Sequence, residues 1–138
     1  MIKQFPLNIR TYGRSTVEIT NKINQLIRQS DIKTGLCHIF VQHTSASLII
    51  TENADSDVHR DLENFISKLV LDGDPGYLHD QEGPDDMAAH IRSVLTQTDI
   101  TIPIIAGKTA LGTWQGLYLW EHRTQPHHRK LIVTINGE

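Results

Sequence analysis

The spacing of apolar residues divides the chain into nine predicted elements, in the order β-α-β-β-α-α-β-β-β. The first is a strand over "IKQFPLNI", where Pro6 favours an edge position because proline has no N–H for a neighbouring strand. A helix is predicted over "STVEITNKINQLIRQS", in which Ser15 and Glu18 have the spacing of a capping box. Two neighbouring strands follow in "GLCHIFVQHT" and "SLIIT".

Two further helices flank a loop rich in glycine and proline, "LDGDPGYLHDQEGP". The first is predicted over "SDVHRDLENFISKLV" with Asp55 or Ser56 as its cap, and the second over "PDDMAAHIRSVL" with Pro84 in its first position. Helical spacing predicts which apolar side chains face the core. They are Val58, Leu62, Phe65, Ile66 and Leu69 in the first helix, and Met87, Ile91, Val94 and Leu95 in the second.

Strand-forming residues fill the last third of the chain, in "DITIPII", "QGLYLWEH" and "RKLIVTI". Strands therefore cluster around the helices without a strict alternation of strand and helix. This order favours the α+β class. We expect one compact domain over residues 1–138, with about three helices and mixed or antiparallel β-sheets in a sandwich-like arrangement.

The composition narrows the possible partners. The formal net charge of the 138 residues is -3, which gives no general attraction to nucleic acid or to an anionic membrane. No apolar run approaches the ~20 residues that span a bilayer. Cys37 is the single cysteine, and the start "MIKQFPLNIR" lacks the apolar segment of a signal peptide. We expect a cytoplasmic protein with a small-molecule substrate and with no nucleic-acid or membrane partner.

Three of the eight histidines lie where an imidazole can reach a site. His43 ends a predicted strand, His79 lies in the glycine-rich loop, and His90 borders the apolar stripe of the third helix, one turn after Asp86. Three convergent imidazoles with an open position are a known zinc arrangement, and a carboxylate such as Asp86 orients metal-bound histidines. The chain has no HExxH or CxxC motif, so three separate structural or surface histidines are the alternative.

Polar residues lie on both sides of the strand "SLIIT". Glu52 and Asn53 follow the strand and precede the helix cap, so a helix start does not account for them. They are candidates to bind a metal-bound water, a substrate amine or a phosphate-bound magnesium. Ser45 and Ser47 lie beside His43. Because no GxSxG turn is present, we expect their hydroxyls to bind substrate rather than to act as nucleophiles.

The segment "LGTWQGLYLWEHR" places Trp114 and Gln115 between two glycines. Glycine permits close backbone approach, so this pair can stack on a flat heteroaromatic ring and hydrogen-bond its edge. A hairpin with a packed tryptophan is the alternative. Arg123, at the end of the following strand, is either an anion binder for the substrate or one member of a surface ion pair.

Together, "HTSASLIITENAD", "HDQEGPDDMAAHIR" and "LGTWQGLYLWEHR" resemble the YjbQ-like family, whose members are often named secondary thiamine-phosphate synthases. The resemblance covers essentially the whole chain and implies a compact α+β subunit that assembles as a homotrimer. It also implies which residues correspond to the family's site. These are His43, His79 and His90 for its histidines, Glu52, Asn53 and Glu82 for its acidic and amide positions, and Trp114 and Gln115 for its Trp-Gln pair.

The activity implied by the resemblance joins a hydroxymethylpyrimidine diphosphate to a thiazole phosphate. Loss of pyrophosphate needs charge stabilisation, which a divalent metal such as zinc or magnesium supplies. The first hypothesis is therefore a metal-assisted thiamine-phosphate synthase with catalytic roles for His43, Glu52, Asn53 and Glu82. Few basic residues lie near the motifs, chiefly Arg92 and Arg123. The alternatives are a metallohydrolase or other metalloenzyme using the same histidines, and a non-catalytic trimer that binds a phosphorylated metabolite.

Overall fold

Eight strands and three helices make up the computed structural model, which describes residues 1–138. In chain order they are β1 (Ile2–Thr11), β2 (Ser15–Glu18), α1 (Thr20–Ser30), β3 (Gly35–Val41), β4 (Ala46–Glu52), α2 (Ser56–Leu69), α3 (Asp86–Leu95), β5 (Asp99–Ile105), β6 (Lys108–Thr109), β7 (Gln115–Glu121) and β8 (His127–Gly137). A five-stranded sheet has the order β1-β8-β3-β5-β6, and a three-stranded sheet has the order β2-β7-β4. The α+β class with three helices is confirmed, and every strand pair is antiparallel.

The main apolar cluster joins α1 to both sheets. In β3 the period of two holds, because Cys37, Ile39 and Val41 are all buried. The helix α1 contributes Ile23 and Ile27, one turn apart on its buried face. Pro6 lies in β1, which is an edge strand as predicted. No helix of the protein combines the length and the apolar character needed to cross a membrane.

The capping box predicted at Ser15 and Glu18 is wrong. These residues are the ends of β2, opposite Glu121 and Tyr118 of β7. The helix begins five residues later than Ser15, at Thr20, and has no side-chain cap. The segment contains β-branched Thr16 and Val17, which favour a strand, and the pairing with β7 satisfies their backbone groups. The short strands β2 and β6 were both absent from the predicted order.

The start of α2 is as predicted, but its outward face is not. Asp55 is the cap, and its side chain accepts a hydrogen bond from the Asp57 N–H at 2.9 Å. Ile66 packs into a second apolar cluster with Trp120. Phe65 and Leu69, predicted to face the core, are 66% and 60% exposed. The helix therefore carries an apolar pair on its solvent side.

The helix α3 turns a polar face toward the protein interior, contrary to the predicted stripe. Val94 and Leu95 are 83% and 55% exposed, whereas Asp86, Arg92 and Ser93 are buried. The helix begins at Asp86, so Pro84 lies in the turn before it. Burying polar groups is tolerated only when they have partners. Those partners come from distant segments, and they create the site described next.

Candidate functional site

His79, Asp86 and His90 form one cluster where the long loop meets the start of α3. The Nε2 atom of His79 lies 2.7 Å from Oδ2 of Asp86, and Nε2 of His90 lies 3.1 Å from the same oxygen. The two imidazoles meet edge to face with their ring centroids 5.2 Å apart. Because an ionised carboxylate only accepts hydrogen bonds, both imidazoles donate to Asp86. The predicted orientation of His90 by Asp86, one helical turn earlier, is present in the structure.

Arg123 and Asp85 fix this cluster to the loop after β7. Arg123 donates from Nη1 to Oδ1 of Asp86 at 2.7 Å and from Nε to Oδ2 of Asp85 at 2.9 Å. Asp85 also accepts from the backbone N–H and the hydroxyl of Thr124. The first turn of α3 is therefore held by charge-assisted hydrogen bonds, which are about twice as strong as neutral ones. Arg123, predicted to bind substrate, donates to the two acidic side chains that place the cluster.

These contacts keep both carboxyl groups ionised. Burial alone raises the pKa of Asp86, but the hydrogen bond from His79 and the charges of Arg123 and His90 lower it below its ordinary value. Burial likewise raises the pKa of Asp85, and the hydrogen bonds from Thr124 and Arg123 lower it to about 2. Asp86 is thus an anion with one oxygen committed to Arg123 and one shared by the two histidines.

Glu82 stands at the exposed edge of the cluster. Its Oε2 lies 3.2 Å from Nε2 of His79, and its side chain remains mostly in solvent. Its backbone carbonyl accepts a hydrogen bond from Nη2 of Arg123 at 2.9 Å. The same arginine therefore holds Asp85, Asp86 and the backbone of Glu82, so it determines how the loop and the helix approach each other.

His43 does not join His79 and His90 within the subunit. Its Nε2 accepts the backbone N–H of Lys130 at 2.8 Å. The proton of the neutral ring therefore lies on Nδ1, so the 3.4 Å approach of Nη1 of Arg129 to this nitrogen brings two donors together and is not a hydrogen bond. Burial, together with the charge of Arg129, lowers the pKa of His43 and keeps the ring neutral. The lone pair that a metal would need is occupied by a backbone hydrogen bond.

Ser45 and Ser47 face a buried polar network rather than an open site. Ser47 lies 2.7 Å from Nε2 of His122, and both residues are completely buried. Arg92 donates from Nε to Nδ1 of His122, so the imidazole proton lies on Nε2 and points at the serine. His122 therefore donates to Ser47 instead of accepting its proton, which removes the arrangement needed for a serine nucleophile. The hydroxyl of Ser45 accepts from Arg129.

Glu52, Asn53, Trp114 and Gln115 gather at the other end of the three-stranded sheet. The carboxylate of Glu52 accepts the backbone N–H groups of Ala54 and Asp55, both at 3.1 Å. The amide of Asn53 donates to the backbone carbonyl of Thr113, in the turn before β7, and to that of Gln115, the first residue of β7. Trp114 is 65% exposed. These contacts give the acid and the amide a role in joining the start of α2 to that turn.

The predicted site residues thus divide into two groups at opposite ends of β4. Ala46 is opposite Glu121 at one end, close to Arg123 and the histidine cluster, and Glu52 is opposite Gln115 at the other. Seven residues of extended strand span roughly 20 Å. A single subunit therefore does not bring Trp114 and Gln115 to His79 and His90.

The residues of the cluster fit a divalent metal. One ligand atom from each of His79, Asp86 and His90 lies within 4.8 Å of the others. Two imidazoles and one carboxylate are a donor set that zinc uses in catalytic sites. The carboxylate is already ionised, and Arg123 supplies the outer hydrogen bond that such ligands commonly have. Among the chain's histidines, cysteines and acids, this is the one such group.

Comparison with known proteins identifies the family of this chain. The family model described as "UPF0047 protein YjbQ-like" matches residues 5–138. The chain belongs to the YjbQ-like UPF0047 family. A UPF0047 protein from Synechocystis is 54% identical over 96% of this chain and 90% of its own length. The UPF0047 protein YjbQ of Escherichia coli O157:H7 is 40% identical over 98% of both chains.

Solved structures of YjbQ-like proteins have the same fold. A YjbQ/UPF0047 protein from Clostridium acetobutylicum is 33% identical, with a TM-score of 0.87 over 96% of this chain and 99% of that one. A YbjQ-like protein of unknown function from Sulfolobus solfataricus has a TM-score of 0.87 and 26% identity over the full length of both chains. These comparisons give the family and the fold. The thiamine-phosphate synthase activity implied by the resemblance stays a prediction.

Sequence reasoning missed the charged residues inside this YjbQ-like domain. Arg92 is fully buried and donates to both oxygens of Glu63. Arg129 and Glu121 form a pair in which both side chains are buried, and Thr11 adds a hydrogen bond at 2.6 Å. The one local signal for Arg92 was its position on the same helical face as two small residues, Ala88 and Ala89, which let α3 approach the sheet closely.

Proposed function

We propose that this protein is a metal-assisted enzyme acting on a small molecule at the cluster of His79, Asp86 and His90. The supporting observation is the convergence of these three side chains on one point, with Asp86 held ionised by Arg123. A zinc or magnesium ion bound there would act as a Lewis acid toward a phosphoryl or carbonyl oxygen. Of the two metals, zinc suits the imidazole ligands better.

The surrounding residues have separate roles in this proposal. Without a metal, Asp86 accepts a hydrogen bond from each imidazole, and both Nε2 protons would have to leave before these nitrogens and Oδ2 of Asp86 could hold the ion. Glu82, exposed beside His79, accepts or returns a proton of the substrate. Arg123 is a positioning residue, since its donors go to Asp85, Asp86 and the backbone of Glu82. His43 lies outside this ligand group.

The specific reaction we propose is thiamine-phosphate synthesis, as the family resemblance implies, at a low rate. The sparse positive charge favours a second candidate, hydrolysis of a small molecule. Arg123 is paired with two carboxylates and Arg92 is buried against Glu63, so neither is available for a diphosphate. Binding of phosphorylated groups would then depend on the metal, whereas a hydrolase needs only the metal and a proton acceptor.

Calorimetric titration with Zn²⁺ tests the metal site. We expect the purified protein to bind one zinc per chain, and His79→Ala or His90→Ala to weaken binding by at least about tenfold. His38→Ala is the matched control, because His38 also pairs with an aspartate, Asp99 at 2.9 Å, outside the cluster. Equal zinc affinity in wild type and both cluster variants would overturn the proposal.

Product formation tests the reaction separately. The metal-loaded protein is incubated with hydroxymethylpyrimidine diphosphate and thiazole phosphate, and thiamine phosphate is measured by chromatography. We expect product from wild type and from His38→Ala, and none from His90→Ala. Pyrophosphate or phosphate released without thiamine phosphate would select the hydrolase instead.

A further inference from the structure

A cavity of about 610 Å³ lies between the end of β3 and the helix α3. Its volume is within the range of small-molecule sites. His90 lies on its wall and also belongs to the histidine cluster, so the cavity and the cluster share a side chain. His43 lies on the wall as well, supplied by the segment after β3. The cavity is thus lined by both His43 and His90.

Apart from its two imidazoles, the wall of this cavity carries no ionisable side chain. None of its ten lining residues is an aspartate, a glutamate, a lysine or an arginine. Gln42, Thr44 and Thr98 provide amide and hydroxyl groups, and Phe40 and Val94 provide apolar surface. His43 is a neutral imidazole, since its Nε2 accepts the N–H of Lys130.

This lining suits an uncharged group and does not suit a buried phosphate. A phosphate placed here would lose its hydration without gaining a cation, which costs several kcal/mol. A flat heteroaromatic group would place its face on Phe40 or Val94 and its polar edge on the amide and hydroxyl groups. A charged substituent of the same molecule would reach toward His90 and the cluster beyond it.

We propose that this cavity binds the uncharged heteroaromatic part of the substrate, while the histidine cluster receives its anionic or reactive part. The inference rests on the proposed function for the cluster but adds a separate binding site. It places the ring recognition at Gln42, Thr44 and Thr98 rather than at the exposed Trp114, which lies at the far end of β4. Ring binding therefore needs no metal, whereas anion binding does.

Calorimetry with two probes tests this division. The first probe is 4-amino-5-hydroxymethyl-2-methylpyrimidine at mildly alkaline pH, where its ring is uncharged, and the second is inorganic pyrophosphate. We expect the pyrimidine to bind with or without Zn²⁺, and pyrophosphate to bind only with Zn²⁺. Failure of the pyrimidine to bind in either condition would overturn the cavity proposal. Failure of zinc itself to bind would overturn the proposed function and leave the pyrimidine result to be judged by itself.

A charged substitution in the cavity wall tests whether the ring binds in this cavity. Thr98→Glu puts a carboxylate into the cavity, and we expect it to weaken pyrimidine binding at least tenfold. Thr101→Glu is the matched control, because Thr101 is an exposed residue of β5 outside the cavity. Zinc affinity should be the same in both variants. Pyrimidine binding that is unchanged in Thr98→Glu, or weakened equally in both variants, would show that the ring binds elsewhere.

Discussion

Arg123 holds Asp86 through the carboxylate oxygen that the imidazoles leave free, with 2.7 Å between Nη1 and Oδ1. The other oxygen, Oδ2, accepts from His79 and from His90. The position of both imidazoles therefore depends on an arginine that hydrogen-bonds to neither of them. This relationship makes Arg123 the residue whose removal should disturb the cluster without changing any of its proposed ligands.

Arg123→Ala should weaken zinc binding about 10- to 100-fold, the usual effect of losing an outer hydrogen bond to a metal ligand. The zinc affinity of Arg123→Lys should lie between those of wild type and Arg123→Ala. An ammonium keeps the positive charge, but it lacks the planar guanidinium that reaches two carboxylates and a carbonyl at once. Zinc titration measures both variants, and Arg60→Ala removes an exposed arginine as the control. Wild-type affinity in Arg123→Ala would show that Asp86 is placed without the arginine.

The ion pair between buried Arg92 and partly exposed Glu63 leads to a prediction about stability. Arg92 is completely buried, and its Nη2 donates to Glu63 at 2.7 Å. Glu63→Ala leaves a buried charge without its carboxylate, so we expect the free energy of unfolding to fall by about 3–5 kcal/mol. The double variant Glu63→Leu with Arg92→Met should lose less, because no unpaired charge remains. Urea unfolding measures both, and a larger loss in the double variant would contradict this explanation.

Local patterns predicted those parts of the fold and site that depend on residues close in the chain. The alternation of Cys37, Ile39 and Val41 gave the buried face of β3, and Asp55 is the cap of α2. The approach of Asp86 to His90 follows from their separation by one helical turn. Each of these relationships is set by backbone geometry within a few residues.

Features set by distant partners escaped prediction. The polar face of α3 turns inward because Arg92 meets Glu63 and His122, 29 and 30 residues away. His43 lies apart from His79 and His90, and its ring accepts the backbone N–H of Lys130, 87 residues away. The periodic pattern predicts that the most apolar face of a helix is buried. It therefore fails for a polar face that is buried because its partners come from other elements.

The lowered pKa of His122 leads us to expect a loss of stability in mild acid. Burial, with the positive charges of Arg92, Arg14 and Arg129, lowers its pKa to about 2. The unfolded chain has a histidine pKa of about 6.5, so as the pH falls the unfolded state binds the proton and the folded state does not. Stability is therefore full above about pH 6.5 and falls by about 1.4 kcal/mol per pH unit below about pH 6.

Urea unfolding between about pH 7 and pH 5 measures this slope. His43, whose pKa is also lowered, adds to the loss in the same direction. His122→Gln removes the titrating ring. The free energy of unfolding of this variant should therefore fall less steeply with pH, by up to about 1.4 kcal/mol per pH unit. Thr101→Gln, which replaces an exposed residue that does not titrate, should keep the wild-type slope. An unchanged slope in His122→Gln would mean that another group causes the acid sensitivity.

The exposed apolar face of α2 bears on the homotrimer, which stays a proposal. Phe65 and Leu69 are one helical turn apart and both mostly exposed, and Leu71 beyond the helix is also exposed. Apolar side chains grouped at a surface are typical of contacts between subunits. We expect light scattering to give the mass of three 15.6 kDa chains. A single-chain mass at every concentration would reject the trimer.

Paired substitutions on α2 test whether this face forms the contact. Phe65→Glu with Leu69→Glu should reduce the assembly to smaller species, because two carboxylates would have to be buried without partners. Arg60→Glu changes the charge of an exposed residue on the opposite side of the same helix and should leave the mass unchanged. Circular dichroism of the double variant should match wild type, since both side chains lie outside the core. A trimer that survives the double substitution would place the subunit contact on another face, such as the one that carries Val94 and Leu95.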